Sequence, residues 1–173
     1  VNDRPLQLTY AEIGATATEL PAGYHHVRRD CVIGRGEAAF RDATERLMRW
    51  DMHRRAGIGV SATTPRAETG ARVTLRLGAG PVHLTAHCEV VYVVDEARRR
   101  GFAYGTLTGH PERGEERFCV VWHDDDTVTL AITAFSRPAT WWSRAGSPIA
   151  RIVQRRITDR YLRALQPRAD GYV

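Results

Sequence analysis

Between residues 71 and 136 the chain repeats one pattern almost without a break: apolar and polar residues alternate, with only short turn-forming stretches between the alternating runs. Val73, Leu75 and Leu77 interleave with Arg72, Thr74 and Arg76, and Val128, Leu130, Ile132 and Ala134 share a face that by parity includes Ser136. A period of two puts successive side chains on opposite faces of an extended chain, so these segments read as half-buried strands. Strands are predicted over 71–77, 82–94, 100–107, 117–123 and 127–136, with Val82, Leu84, Ala86, Cys88, Val90 and Tyr92 on one face of the second. The connections at 78–81, 95–98, 109–114 and 124–126 are too short for parallel crossovers, so the strands form an antiparallel meander.

The rest of the chain supplies two helices and two further strands. Residues 24–34 and 58–62 are strand candidates. Between them, Phe40, Ala43, Leu47 and Trp50 recur on one helical face over 37–52. Glu37–Arg41, Asp42–Arg46 and Glu45–Arg49 are acid-first pairs four residues apart, the favoured order on a helix. A second helix is predicted over 147–166, with Ser147 as N-cap, Pro148 in its first position, and a stripe of Ile149, Val153, Ile157, Tyr161 and Leu165. The expected fold class is α+β: a curved antiparallel sheet of about six to seven strands wrapped round a long C-terminal helix, with a first helix after strand one. The 173 residues read as a single domain, with 1–22 as an arm, 23–166 as the core and 167–173 as a tail.

Composition excludes several chemistries. All 25 basic residues are arginine. Without lysine there is no Schiff-base catalysis and no lysine-bearing phosphate loop. The net charge of +5 is spread over acid-paired arginines, so nucleic-acid binding is not expected. No apolar run approaches a membrane span and no signal-peptide pattern opens the chain, so cytoplasmic residence is expected. Cys31, Cys88 and Cys119 form no CxxC pair and fall in strand-like runs, as reduced buried thiols do. His83 and His87, four apart on a strand, stand about 13 Å from one another. With no clustered His/Cys spacing, no metal site and no cofactor are expected.

The run Tyr104-Gly105-Thr106-Leu107, Gly109-His110-Pro111-Glu112, Gly114-Glu115-Glu116 and Phe118, followed by Phe135-Ser136-Arg137-Pro138, resembles the "domain of unknown function 1990" family. Leu20-Pro21, Gly23-Tyr24 and Trp50 stand where that family would have them, and the resemblance extends from about residue 20 to about residue 165. It implies the START-like helix-grip superfamily, associated with lipid, polyketide or hormone binding and with some cyclases and aromatases. It implies no particular reaction.

Candidate site residues concentrate in 104–118. Tyr104 lies mid-strand on the face of Phe102, where a phenol needs a partner that a ligand oxygen would supply. His110 could transfer a proton; the alternative is that it braces a tight turn by bonds to backbone, its neighbouring glutamates being loop charges. Arg137 could hold an anionic group bidentately, or pair with Glu112 or Glu115 to pin that loop. The catalytic candidates are therefore Tyr104, His110 and Arg137. The ligand-lining candidates are Trp50, Phe102, Tyr104, Val128, Leu130, Ile132 and Ser136. Trp141 and Trp142 could form a lid or an anchor for a partner.

The expected function is binding of a small apolar or aromatic molecule between sheet and C-terminal helix, with acid–base chemistry such as cyclisation, dehydration or isomerisation if it is an enzyme. The alternative is a non-catalytic structural or interaction domain whose core is filled by side chains. A homodimer stays open under either.

Overall fold

The computed structural model describes residues 6–79, 82–139 and 147–166. Seven strands form one antiparallel sheet: β1 (His25–Arg35), β2 (Gly59–Ala62), β3 (Arg72–Ala79), β4 (Val82–Asp95), β5 (Arg99–Thr106), β6 (Glu112–Trp122) and β7 (Thr127–Pro138). Their order is β1-β7-β6-β5-β4-β3-β2, so β2 to β7 are hairpin neighbours and β1 adds to β7. Helices α1 (Gly36–Met48) and α2 (Asp51–Arg55) carry the chain from one sheet edge to the other, and α3 (Ser147–Ala164) closes the fold. The helices and one face of the curled sheet enclose the main hydrophobic core. This is the α+β, helix-grip arrangement read from the alternation, including the helix after strand one. No helix among the described residues is long and apolar enough to cross a membrane.

The helix predicted over 37–52 is two helices. Its apolar stripe is as expected: Phe40, Ala43 and Leu47 are buried, and Phe40 stacks on Trp122 at 6.0 Å. The three acid-first pairs form, all on the surface, where solvent screening keeps their contribution small. The break falls at Trp50, which adopts φ 67°, in the left-handed region. That conformation costs an L-residue about 1–2 kcal/mol. It drops the indole into the core, where it is fully buried at 4.9 Å from the Phe102 ring, and burial of so large a side chain offsets the cost.

Two strands also depart from simple alternation. A bulge between Val90 and Tyr92 inserts one residue into β4. Val90 opposite Tyr104 stays in the core, while Tyr92 opposite Ala103 turns to the outer face, where its hydroxyl meets Thr16 at 2.7 Å. Strand β6 begins at Glu112 rather than at 117, so the stretch expected to be a charged loop is half strand. Gly114 makes this possible. A Cβ there would lie 1.9 Å from the Phe135 carbonyl oxygen, so only glycine lets β6 approach β7.

The N-terminal arm packs on the outer face. Tyr10, Leu20 and Phe135 form a second apolar cluster with Tyr24 against it. Beside it lies Glu115, 3% exposed. Its carboxylate accepts from the Tyr10 hydroxyl at 2.7 Å, from the backbone N–H of Gly14 and Thr16 at 2.7 and 3.0 Å, and from the Thr16 hydroxyl. A buried carboxylate is tolerated when its lone pairs are satisfied in this way.

Candidate functional site

Register places the concave-face residues in rows that cross the sheet. Val93, Phe102, Phe118 and Ile132 lie opposite one another in one row. The next holds Val90, Tyr104, Glu116, Ala134 and Val27. The third holds Cys88 opposite Thr106, then Gly114 opposite Ser136 opposite His25, with the Gly114 N–H donating to the Thr106 hydroxyl at 3.0 Å. The face thus grades from an aromatic floor, through a phenol–carboxylate row, to a hydroxyl-bearing rim.

The middle row carries the titratable chemistry. The Tyr104 hydroxyl donates to Glu116 Oε2 at 3.0 Å. Burial pushes the Glu116 carboxyl up to about 7; the Tyr104 hydrogen bond pulls the other way and nearby Glu112 adds to the rise. Burial, with Glu116 alongside, also holds the Tyr104 phenol well above its ordinary value, so it stays protonated. Tyr161 of α3 packs beside them, and its phenol is raised by the same causes. Burial raises Glu112 at the rim as well, against a hydrogen bond from Ser136 and the charge of His25. A carboxyl that changes form near neutrality, in contact with a phenol that does not, is a pair that can accept and return a proton.

The floor is an aromatic cluster. Trp50, Phe102 and Phe118 are fully buried, as are Val128, Leu130 and Ile132 beside them. His53 sits among them, 0% exposed, its ring 4.9 Å from Tyr161 and 5.9 Å from Tyr104. Neither of its nitrogens has a hydrogen-bond partner. Burial, helped by Arg54, drives its imidazole down to about 3, so it is neutral at pH 7. Leaving such a group unsatisfied in a core costs about 1–3 kcal/mol.

The sequence-predicted residues separate into distinct places. Tyr104 and Ser136 lie in adjacent rows of the concave face, and Trp50, Phe102, Val128, Leu130 and Ile132 form the packed core beneath. His110 belongs to the turn: its Nδ1 lies 3.0 Å from both the backbone N–H and the carbonyl oxygen of Glu112, and burial lowers its imidazole to about 4, so it is neutral at pH 7. Arg137 is on the outer face, its guanidinium 4.6 Å over the Tyr24 ring; it is not brought to Tyr104. Neither of the pairings with Glu112 or Glu115 forms, because Glu115 is taken by the arm and Glu112 faces Ser136. Trp141 and Trp142 lie outside the described residues. Glu116, Tyr161 and His53 were not among the candidates. The signal for Glu116 was available: it has the parity of Phe118, Val120 and Trp122, and a carboxylate on the apolar parity of a strand is anomalous.

Comparisons with known proteins agree with this architecture. A "UPF0548 protein" of Deinococcus radiodurans is 35% identical over 172 residues, covering 91% of this chain and 85% of that one. Among solved structures, a hypothetical protein of Helicobacter pylori superposes with a TM-score of 0.65 at 9% identity, covering 92% of this chain and 94% of that one. A Thalictrum norcoclaurine synthase, in complex with a transition-state analogue, superposes with a TM-score of 0.57 at 9% identity, over 85% and 97% of the two chains. At such identities the likeness is one of fold, the START-like helix grip. The model of the family described as "Domain of unknown function (DUF1990)" matches residues 9–164, and the chain belongs to that family.

Proposed function

We propose that this protein binds a small, largely apolar or aromatic molecule at the concave face, between the Tyr104–Glu116 row and α3. The observation that carries the reading is the Tyr104–Glu116 pair itself: a phenol donating to a carboxyl raised to about 7, set directly above an aromatic floor. Polar groups on an otherwise apolar concave surface are what orient a ligand. Norcoclaurine synthase, of the same fold, forms a complex with a transition-state analogue, which supports small-molecule binding by a domain of this shape. Phe102, Val128, Leu130, Ile132 and Trp50 serve as floor rather than as open lining. Ser136 extends the polar rim.

If the bound molecule reacts, the available chemistry is proton transfer. Glu116 as carboxylate accepts a proton from carbon, nitrogen or oxygen of the ligand, and Tyr104 donates a hydrogen bond to the charge that develops. Cyclisation, dehydration and isomerisation can each use such a pair. Arg137 and His110 take no part in this scheme.

The filled floor also favours a second reading, a non-catalytic domain whose concave face is simply core. Displacement fluorescence separates the two. N-phenyl-1-naphthylamine, an apolar probe that brightens on leaving water, is expected to bind the wild type. Ala134→Leu, beside Glu116 in the same row, is expected to weaken that binding about tenfold or more while the circular dichroism spectrum is unchanged. Probe binding that is absent, or indifferent to Ala134→Leu, favours the filled core.

A further inference from the structure

The chemical class of the ligand can be narrowed, on the premise that the concave face is the binding site. The chain carries an excess of arginine, yet none of the ion pairs formed among the described residues involves Glu112 or Glu116. Many of the acidic groups elsewhere do meet one, although Glu12, Asp125 and Asp126 take hydroxyl, amide or indole donors instead. Glu45, Glu89, Glu96, Asp42, Asp51, Asp95, Asp124 and Asp159 each meet an arginine, and Glu115 takes its donors from the arm. The two concave-face carboxyls have hydroxyl partners, Tyr104 and Ser136, and no arginine among the described residues, with the charge of His25 acting on Glu112. Glu112 lies close enough to add to the rise of the Glu116 carboxyl.

An independent feature sits beneath them. His53 is wholly buried against the Tyr104 and Tyr161 rings with both nitrogens unpartnered. The site therefore has unspent hydrogen-bonding capacity at its base and unspent negative charge at its rim, around the faces and edges of aromatic rings. Carboxylates bordered by aromatic rings are the surroundings that stabilise an ammonium group, by charge-assisted hydrogen bonds and by the ring quadrupoles. An anionic ligand would meet two carboxyls, with His25 at the rim as the nearby positive group and Arg29 already paired with Asp159.

We propose that the molecule taken at this face is an amine: an aromatic or apolar body against the floor, with its ammonium group held by Glu116 and Glu112. The ammonium supplies the missing counter-charge and takes three hydrogen-bond acceptors, for which the two carboxyls and the Ser136 hydroxyl are placed in adjoining positions.

The test is competition against N-phenyl-1-naphthylamine by three molecules of matched body and different charge: 2-phenylethylamine, 2-phenylethanol and 3-phenylpropanoate. At pH 8 the amine is expected to bind about tenfold or more tighter than the alcohol, and the carboxylate more weakly than both. Glu116→Gln is expected to reduce the amine to the level of the alcohol, with the alcohol losing far less than the amine. Lowering the pH from 8 to 6 protonates Glu116 and is expected to weaken the amine alone. The titratable groups around Glu116 are Tyr104, Glu112, Tyr161 and Cys88, with His110, His25 and His87 near the rim. Repeating the pH series in Glu116→Gln separates their share from that of Glu116. Should Glu116→Gln not fold, Glu112→Gln and the wild-type pH series carry the same comparison. An alcohol that binds as well as the amine, or a carboxylate that binds best, overturns the amine assignment and leaves ligand binding standing. Failure of all three to displace the probe overturns both.

Discussion

Glu116 and His53 are ionisable groups whose burial pulls stability in opposite directions as pH changes. The Glu116 carboxyl titrates at about 7 in the folded protein, above its ordinary 4.5. Between those values the folded state holds the extra proton, so stability falls as pH rises from about 5 to about 8, by at most about 3 kcal/mol. Glu116→Gln should flatten that decline. His53 runs the other way. Its folded value of about 3 lies below the ordinary 6.5, so the unfolded chain takes the proton first and stability falls as pH drops from about 7 towards 4. His53→Phe removes the titration and the two unpartnered nitrogens, and should raise the urea midpoint more at pH 5 than at pH 8. Urea melts of the wild type and both variants at the two pH values check this. Equal shifts at both pH values would show that His53 titrates as freely in the folded protein as in the unfolded one.

At the scale of elements, the N-terminal arm is fastened by one carboxylate. Glu115 gathers four donors from residues 10–16, and Gly105, opposite it on β5, leaves the room. A Cβ at Gly105 would stand 2.2 Å from the Tyr10 hydroxyl oxygen. Tyr10→Phe should therefore cost about 1.5–3 kcal/mol, as loss of a hydrogen bond to a charged group does. Gly105→Ala should cost a similar amount by displacing the same phenol. The two should be strongly non-additive in a double-mutant cycle, since each removes one shared contact; simple additivity would mean that the arm is held elsewhere. This arm also marks where reading by pattern stops. Strands β3 and β7 and the apolar stripe of α1 follow from periodicity because each buries chiefly one face, and register then has a single solution. The bulge at Tyr92 and the left-handed Trp50 carry no such periodic signal. Both are fixed by partners far along the chain, Thr16 and Phe102. The start of β6 was hidden by Gly, His, Pro and Arg, whose turn chemistry resembles a loop. A strand begun at 117 leaves out Glu116, and with it the parity that sets Glu116 on the face of Phe118. Periodicity places Tyr104 on the concave face because its own strand is legible; its partner Glu116 falls before the strand that periodicity predicts.

For the whole molecule, the decisive property is the gradient along the concave face, from the aromatic floor of Phe102 and Phe118 through Tyr104 and Glu116 to Thr106, Ser136 and Glu112. An amphipathic molecule matches that gradient in one orientation only. A different recess, on the outer side, is lined by Glu19, Leu20, His26 and Arg28, and it offers a direct contrast. The most direct measurement is amide chemical-shift mapping of the isotopically labelled protein titrated with 2-phenylethylamine at pH 8. The account predicts saturable shifts concentrated at Tyr104, Glu116, Ala134 and Ser136, absent in Ala134→Leu. Shifts centred on Leu20, His26 and Arg28, or spread without saturation, would contradict it.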